Sequence, residues 1–196
     1  MAKKQRRNTK GKIVSAAWSL FYKQGYDDTT IDEIIEESGT SRGSFYHYFE
    51  GKDALLSTLS TLFDDKYEEL SEDLDPGMHA FDKLMFLNAE LFDMIENQIS
   101  VTLLAKMLGT QLTTRAEKHL LDKNRYYFKM LDTIISEGLE KGELKFDCPV
   151  SDVVRAYAMC ERALLYDWCI NDGEYSLSAY SKMMLPRMFC SYDSRR

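Results

Sequence analysis

Apolar residues recur along this chain with the period of an α-helix. Ile13, Ala16, Ala17, Leu20 and Phe21 stand at i, i+3, i+4, i+7 and i+8, and Gly25 ends that first helix. Thr29-Thr30 offers an N-cap for a second, with Glu33 spaced for a capping box. Ile31, Ile34 and Ile35 form its buried side, and Gly39 sits where a left-handed residue closes a helix. Thr40-Ser41 opens a third helix, in which Phe45 and Phe49 share a face and which Gly51 ends.

Lys52 begins a fourth helix, carrying Leu55, Leu59, Leu62, Phe63, Tyr67 and Leu70 and stopping before Pro76-Gly77. Further helical patterns run over about 78–97, 99–109, 113–140, 150–171 and 175–191. The last contains Pro186, so it is expected to kink or stop there. No segment reads as a β-strand. The expected fold is all-α, with about nine helices.

Charge changes the picture. The 196 residues sum to −7, an unpromising total for a partner of phosphates. Residues 1–52, however, carry nine Lys/Arg against seven Asp/Glu, a sum of +2, which leaves −9 for residues 53–196. Lys3, Lys4, Arg6, Arg7, Lys10 and Lys12 precede the first acid, Asp27. A basic front on an acidic body fits local nucleic-acid contact. Residues 1–8 read as a flexible basic arm, either a contact to the DNA backbone or minor groove or a solubilising tail.

Cys148, Cys160, Cys169 and Cys190 form no CxxC pair, so reduced thiols in the cytoplasm are expected. No apolar run of about 18 residues suggests a membrane helix, and no secretory leader is read at the start. No HExxH, phosphate-binding loop or paired Cys/His set points to an enzyme, a metal site or a cofactor. His47, His79 and His119 are scattered.

The informative stretch is 29–52, TTIDEIIEESGTSRGSFYHYFEGK. Two short helices are joined by a tight glycine turn. Gly43 and Ser44 keep the start of the second small enough to approach DNA, and a helix N-terminus favours phosphate. Phe45 and Phe49 turn inward, while Arg42, Ser44, Tyr46 and His47 project outward. Arg42 can read guanine or grip phosphate. Tyr46 and Tyr48 are either DNA contacts or partly buried packing residues.

Residues 9–56 closely resemble the N-terminal domain of TetR-family regulators. The pattern F-x-x-x-G-[YF], TT-[IV] and G-x-S-x-G-x-[FL]-Y-x-[YH]-F-x-x-K is present without a gap, with Ile35 where many members carry Ala. The resemblance implies a DNA-binding domain over 1–52 and a ligand-binding and dimerisation domain over 53–196. It implies phosphate contact by Thr30, recognition by Thr40, Ser41, Arg42, Gly43, Ser44, Tyr46, His47 and Tyr48, and a phosphate grip at Lys52 through its side chain or the helix end. It also implies a homodimer on a near-palindromic double-stranded operator, with recognition helices about 34–36 Å apart, and repression relieved by a small-molecule effector that the sequence does not identify.

In the C-terminal part, Asn88, Phe92, Tyr127, Glu161 and Trp168 are candidate pocket residues. Glu161 interrupts an apolar stripe, where an unpaired carboxylate is costly. It is expected to pair with Arg162 or Arg155 of a neighbour, or else to face a ligand, in which case a cationic lipophilic effector would suit it. Leu164, Trp168, Leu177, Tyr180, Met184 and Met188 are candidate dimer contacts, since one helix seldom exposes so much apolar surface without a partner.

Overall fold

The computed structural model of the chain describes residues 2–113 and 118–195, with side chains from residue 9 onward. The head is built from α1 (Ala2–Gln24), α2 (Ile31–Ser38) and α3 (Arg42–Tyr48). Ile13, Ala17, Leu20 and Phe21 of α1 close over Ile34 of α2 and Phe45 of α3, all buried. Each such large side chain contributes roughly 1.5–3 kcal/mol by leaving water.

The ends of α2 follow the sequence pattern. Thr30 Oγ1 accepts from the Glu33 amide at 3.2 Å, and the Thr30 amide donates to Glu33 Oε2 at 2.7 Å. Gly39 closes the helix at φ 61°, a conformation that side chains with a Cβ resist. One departure is the expected flexible arm: α1 runs from Ala2, so the backbone of residues 2–8 is helical. Ala, Lys, Gln and Arg are strong helix formers, and neither Gly nor Pro stands before Gly11 to stop them.

The expected fourth helix is interrupted. It forms α4 (Lys52–Leu56) and α5 (Thr58–Glu72), which meet at Ser57. The hydroxyls of Ser57, Thr58 and Ser60 each donate at 2.6 Å to a carbonyl three residues back. Such bonds compete with the helix ladder and bend it.

The body adds α6 (Ala80–Gln98), α7 (Val101–Thr113), α8 (Tyr126–Glu140), α9 (Val150–Ile170) and α10 (Leu177–Phe189), with 3-10 turns at His119–Leu121 and Cys190–Tyr192. α6 packs against α5, α8 and α10, while α9 packs against α7, α8 and α10. Ten α-helices are thus present among the described residues, or nine if α4 and α5 are taken as one.

The helix expected over about 113–140 starts late. Residues 114–117 lie outside the described residues, and the regular helix begins at Tyr126. Asp122 makes a local turn, its Oδ1 accepting from the Asn124 amide at 2.9 Å. Asp64 of α5 then receives both Arg125 nitrogens at 2.9 Å and the Tyr127 amide at 3.2 Å. One carboxylate therefore neutralises a guanidinium and caps α8.

α10 continues through Pro186 to Phe189 rather than stopping. Lying in the last turn, Pro186 forfeits a single backbone bond. Beyond it, Arg195 donates to Asp82 Oδ1 and Oδ2 at 2.9 Å and to Asp193, pinning the tail on α6. No β-strand occurs among the described residues, where Leu144 and Asp193 form one isolated bridge. No helix among them is long and apolar enough to cross a membrane.

Candidate DNA-binding surface and effector cavity

The start of α3 is held by Ser41. Its Oγ accepts from the Ser44 amide at 3.1 Å and lies 2.9 Å from the Ser44 hydroxyl. The string Gly39-Thr40-Ser41-Arg42-Gly43 also spells a nucleophile elbow. Ser41, however, is an N-cap that follows a helix, whereas an elbow serine sits on a strand-to-helix turn. Phe45 and Phe49 are buried beneath, their centroids 5.9 Å apart.

This anchoring turns the other side of α3 outward. Ser41, Arg42, Gly43, Tyr46 and His47 are exposed, Tyr46 by 47%, while Thr40, Ser44 and Tyr48 are half-buried. Thr40 Oγ1 lies 2.8 Å from Ser38 Oγ, so it ties the turn to α2 as well as facing outward. His47 and Tyr48 make an edge contact at 4.8 Å. A Cβ at Gly43 would meet only Ser41 Oγ, at 3.9 Å. The fold itself does not require a glycine there, and a close approach from outside does explain one.

Arg42 bridges to Asp32 at 2.9 Å, and its guanidinium stands 5.9 Å from the Tyr46 ring. Both partners of that bridge are largely exposed, so it is worth at most about 1 kcal/mol. A phosphate or guanine can outcompete it. Thr30 is exposed at the N-terminus of α2, with its hydroxyl inside the capping box. The amide and then the hydroxyl of Thr30 hold the Glu33 carboxyl below its ordinary range.

The Lys52 side chain is engaged within the head. Its ammonium donates to the carbonyls of Tyr26 (2.7 Å), Thr29 (2.8 Å) and Asp27 (3.3 Å), over the Tyr26 ring. All three donors are spent on the loop between α1 and α2. Lys52 thus fixes that loop, and a phosphate grip by its side chain is ruled out in this conformation.

The body holds a cavity among α5, α6, α7, α8 and α9, lined by Phe63, Tyr67, Leu91, Phe92, Met107, Leu108, Tyr127, Glu161 and Leu165. Arg125 and Arg162 also line it. Its open space is about 50 Å³, little more than one water's share of liquid volume. Of the expected pocket residues, Phe92, Tyr127 and Glu161 face it. Asn88 stands behind, with Nδ2 3.0 Å from Glu161 Oε1. Trp168 does not take part, because its indole donates to the Tyr175 carbonyl at 2.9 Å. Tyr67, Met107 and Arg125 escaped the sequence reading as lining residues, and Arg162 entered it only as a partner for Glu161, since an apolar helix stripe looks the same whether it meets a cavity or solid core.

Within the single chain, Glu161 makes no ion pair with Arg155 or Arg162 among the described residues. The carboxyl is instead held by the Tyr127 hydroxyl, by Asn88 and, at 3.5 Å, by the Tyr67 hydroxyl. Burial pushes this carboxyl up, against the opposing pull of those hydrogen bonds. The charged form is disfavoured, so the site is a poor counter-ion for a cationic ligand.

The expected dimer contacts also divide. Leu164, Trp168 and Leu177 are buried within the single chain, where they fasten α9 and α10 to the core. Outward from these two helices stand Met159, Ile170, Met183 and Met188, exposed by 54, 77, 46 and 40%. Tyr180 and Met184 are half-buried beside them. Four cysteines are free thiols, and burial pushes that of Cys169 up to about 11.

Comparison with known proteins agrees with both halves. Residues 13–59 match the family model described as bacterial regulatory proteins, tetR family, and residues 59–189 match the YsiA-like protein, C-terminal region. The fatty acid metabolism regulator protein of Bacillus subtilis is 24% identical over 183 residues, 93% of this chain and 94% of that one. Thermus thermophilus FadR, solved in complex with lauroyl-CoA, shares the fold at TM-score 0.77 and 22% identity, over 92% of each chain. FadR from Bacillus subtilis, solved with stearoyl-CoA, does so at TM-score 0.70 and 23% identity, over 92% of this chain and 97% of that one. The two matched regions leave only the ends of the chain uncovered: it belongs to the TetR family of DNA-binding transcriptional regulators.

Proposed function

We propose that this regulator is a homodimeric repressor, without a catalytic step, that leaves a near-palindromic operator when a long-chain acyl-CoA enters its body. The observation that carries the effector class is the cavity, whose largely apolar lining also includes Arg125 and Arg162. The apolar wall suits an alkyl chain. Arg162, which makes no hydrogen bond or ion pair among the described residues, is the free cation for a phosphate-bearing head. The related FadR proteins hold stearoyl-CoA and lauroyl-CoA. A cationic effector fits less well, because it would meet the Arg162 guanidinium and a carboxyl whose charged form burial disfavours.

The head, divided from the body at residue 52, reads DNA with Thr30 and with Thr40, Ser41, Arg42, Gly43, Ser44, Tyr46, His47 and Tyr48. The dimer forms through the outward methionines of α9 and α10, joined by Tyr180 and Ile170. DNA and CoA thioesters meet in the cytoplasm, where the protein works.

Fluorescence anisotropy on duplexes from upstream of its own gene tests the reading. Salt-sensitive binding is expected, released by lauroyl-CoA but not by CoA, laurate or a cationic dye. Substituting Tyr46 and His47 together by Ala is expected to abolish binding while leaving the melting curve in place. A wild-type dimer that ignores this DNA, or that stays bound at saturating lauroyl-CoA, overturns the proposal.

A further inference from the structure

A plain alkyl chain offers no hydrogen bond, yet this cavity's wall carries a concentrated polar cluster. Glu161 of α9 is met by Tyr127 from α8, Asn88 from α6 and Tyr67 from α5. All four are buried, between 1 and 6% exposed. Tyr67, Tyr127 and Glu161 line the open space directly, and the two tyrosine rings lie 5.1 Å apart. Polar groups so placed cost stability unless they are paired, and an apolar set would fill the same volume without that cost.

The pairing is uneven. Glu161 Oε1 already receives Asn88 at 3.0 Å, so Tyr67 contributes only a long contact of 3.5 Å. Tyr157, one turn before Glu161, gives its own hydrogen to the Leu84 carbonyl at 2.6 Å. Its hydrogen is therefore spent on that carbonyl, which leaves the donors toward Glu161 to Tyr127, Asn88 and Tyr67. Tyr67 is therefore the donor that can turn to a newcomer with least loss, and Glu161 supplies an acceptor beside it.

We infer that Tyr67, Tyr127, Asn88 and Glu161 form an oxygen-binding subsite within the cavity, which selects an acyl-CoA bearing a hydroxyl on its chain over the plain saturated thioester. A hydroxyl accepts from Tyr67 and donates to Glu161 at once, whereas a keto oxygen can only accept. The subsite rests on the acyl-CoA reading above. Its discrimination is moderate, because without ligand the cluster satisfies itself rather than being left unpaired.

The test is calorimetric titration of the full-length dimer with lauroyl-CoA and with hydroxylauroyl-CoAs carrying the hydroxyl at carbon 3, 6, 9 or 12. At least one isomer is expected to bind about ten-fold more tightly than the parent. Tyr67→Phe is expected to bring that ratio to about one, whatever it does to the parent. Binding of lauroyl-CoA with no isomer preferred overturns the subsite alone, and so does a preference that survives Tyr67→Phe. If the variant fails to fold, the wild-type ratio still decides. Failure of every thioester, lauroyl-CoA included, overturns the acyl-CoA reading itself.

Discussion

Lys106 of α7 reaches Asp27, in the loop leading to the helix-turn-helix, at 2.9 Å, while its chain neighbours Met107 and Leu108 form cavity wall. The same short stretch thus touches the cavity on one side and the helix-turn-helix head on the other. A ligand that displaced α7 would pull on the loop that Lys52 also holds. Because the Lys106–Asp27 pair is about half exposed, its share of the coupling is small, about 0.2–1 kcal/mol. Lys106→Met is expected to leave operator affinity without effector nearly unchanged. The release caused by lauroyl-CoA should weaken by up to roughly five-fold, read as the ratio of anisotropy midpoints with and without it. An unchanged ratio would remove this contact from the coupling.

Arg125 and Asp64 form a different kind of pair, with side chains only 10 and 18% exposed. Removing the arginine leaves a mostly buried carboxylate that still caps α8. Arg125→Met should therefore cost about 3–5 kcal/mol, seen as a lower denaturant midpoint. Adding Asp64→Asn should recover part of the loss, because the orphaned charge goes too. If the double variant is no more stable than Arg125→Met, the pairing account is wrong.

Glu161 gives stability a pH dependence of definite sign. Its carboxyl is raised when folded, so above the ordinary glutamate value of 4.5 the folded chain retains a proton that the unfolded chain has released. Stability from this group is fully present below that value and declines as pH rises, by at most about 1.36 kcal/mol per unit, until the folded carboxyl ionises. Glu161→Gln lacks the effect. Urea midpoints of the two proteins, compared from pH 4.5 upward, should show the wild type losing ground. A constant difference would mean that the carboxyl is already ionised in the fold.

Gly138 marks the tightest approach of α8 to α6. A Cβ there would stand 2.6 Å from the Ala80 Cβ and 3.0 Å from Leu144. Alanine is the better helix former by about 1 kcal/mol, but Ala80 Cβ is fixed to its backbone and cannot swing away. Overlap costing about 1–3 kcal/mol prevails. Gly138→Ala is expected to melt roughly 2–8 °C below wild type. A rise in melting temperature would show that the helices part freely.

Helices and head were legible because their signals are local. Capping Thr30, left-handed Gly39 and inward Phe45 and Phe49 declare themselves within a few residues of chain. The misjudged positions depend on partners far along the sequence. Lys52 reads as a free cation until the carbonyls of Tyr26, Asp27 and Thr29 are brought to it. Leu164 and Leu177 read as partner contacts because an apolar residue on a helix carries no mark of which neighbour covers it. Glu161 was rightly singled out as an oddity, but its answer came from tyrosines on two other helices, not from a nearby arginine.

The small cavity has a consequence for how such a regulator would measure its effector. With about 50 Å³ open, against roughly 300–1,000 Å³ for clefts that hold drug-sized molecules, the space already present admits only the first carbons of a chain before the surrounding helices must give way. On the acyl-CoA reading proposed above, a longer chain parts those helices further. The regulator would then work as a caliper, in which thioesters too short to move the helices bind without releasing DNA and compete with the long ones.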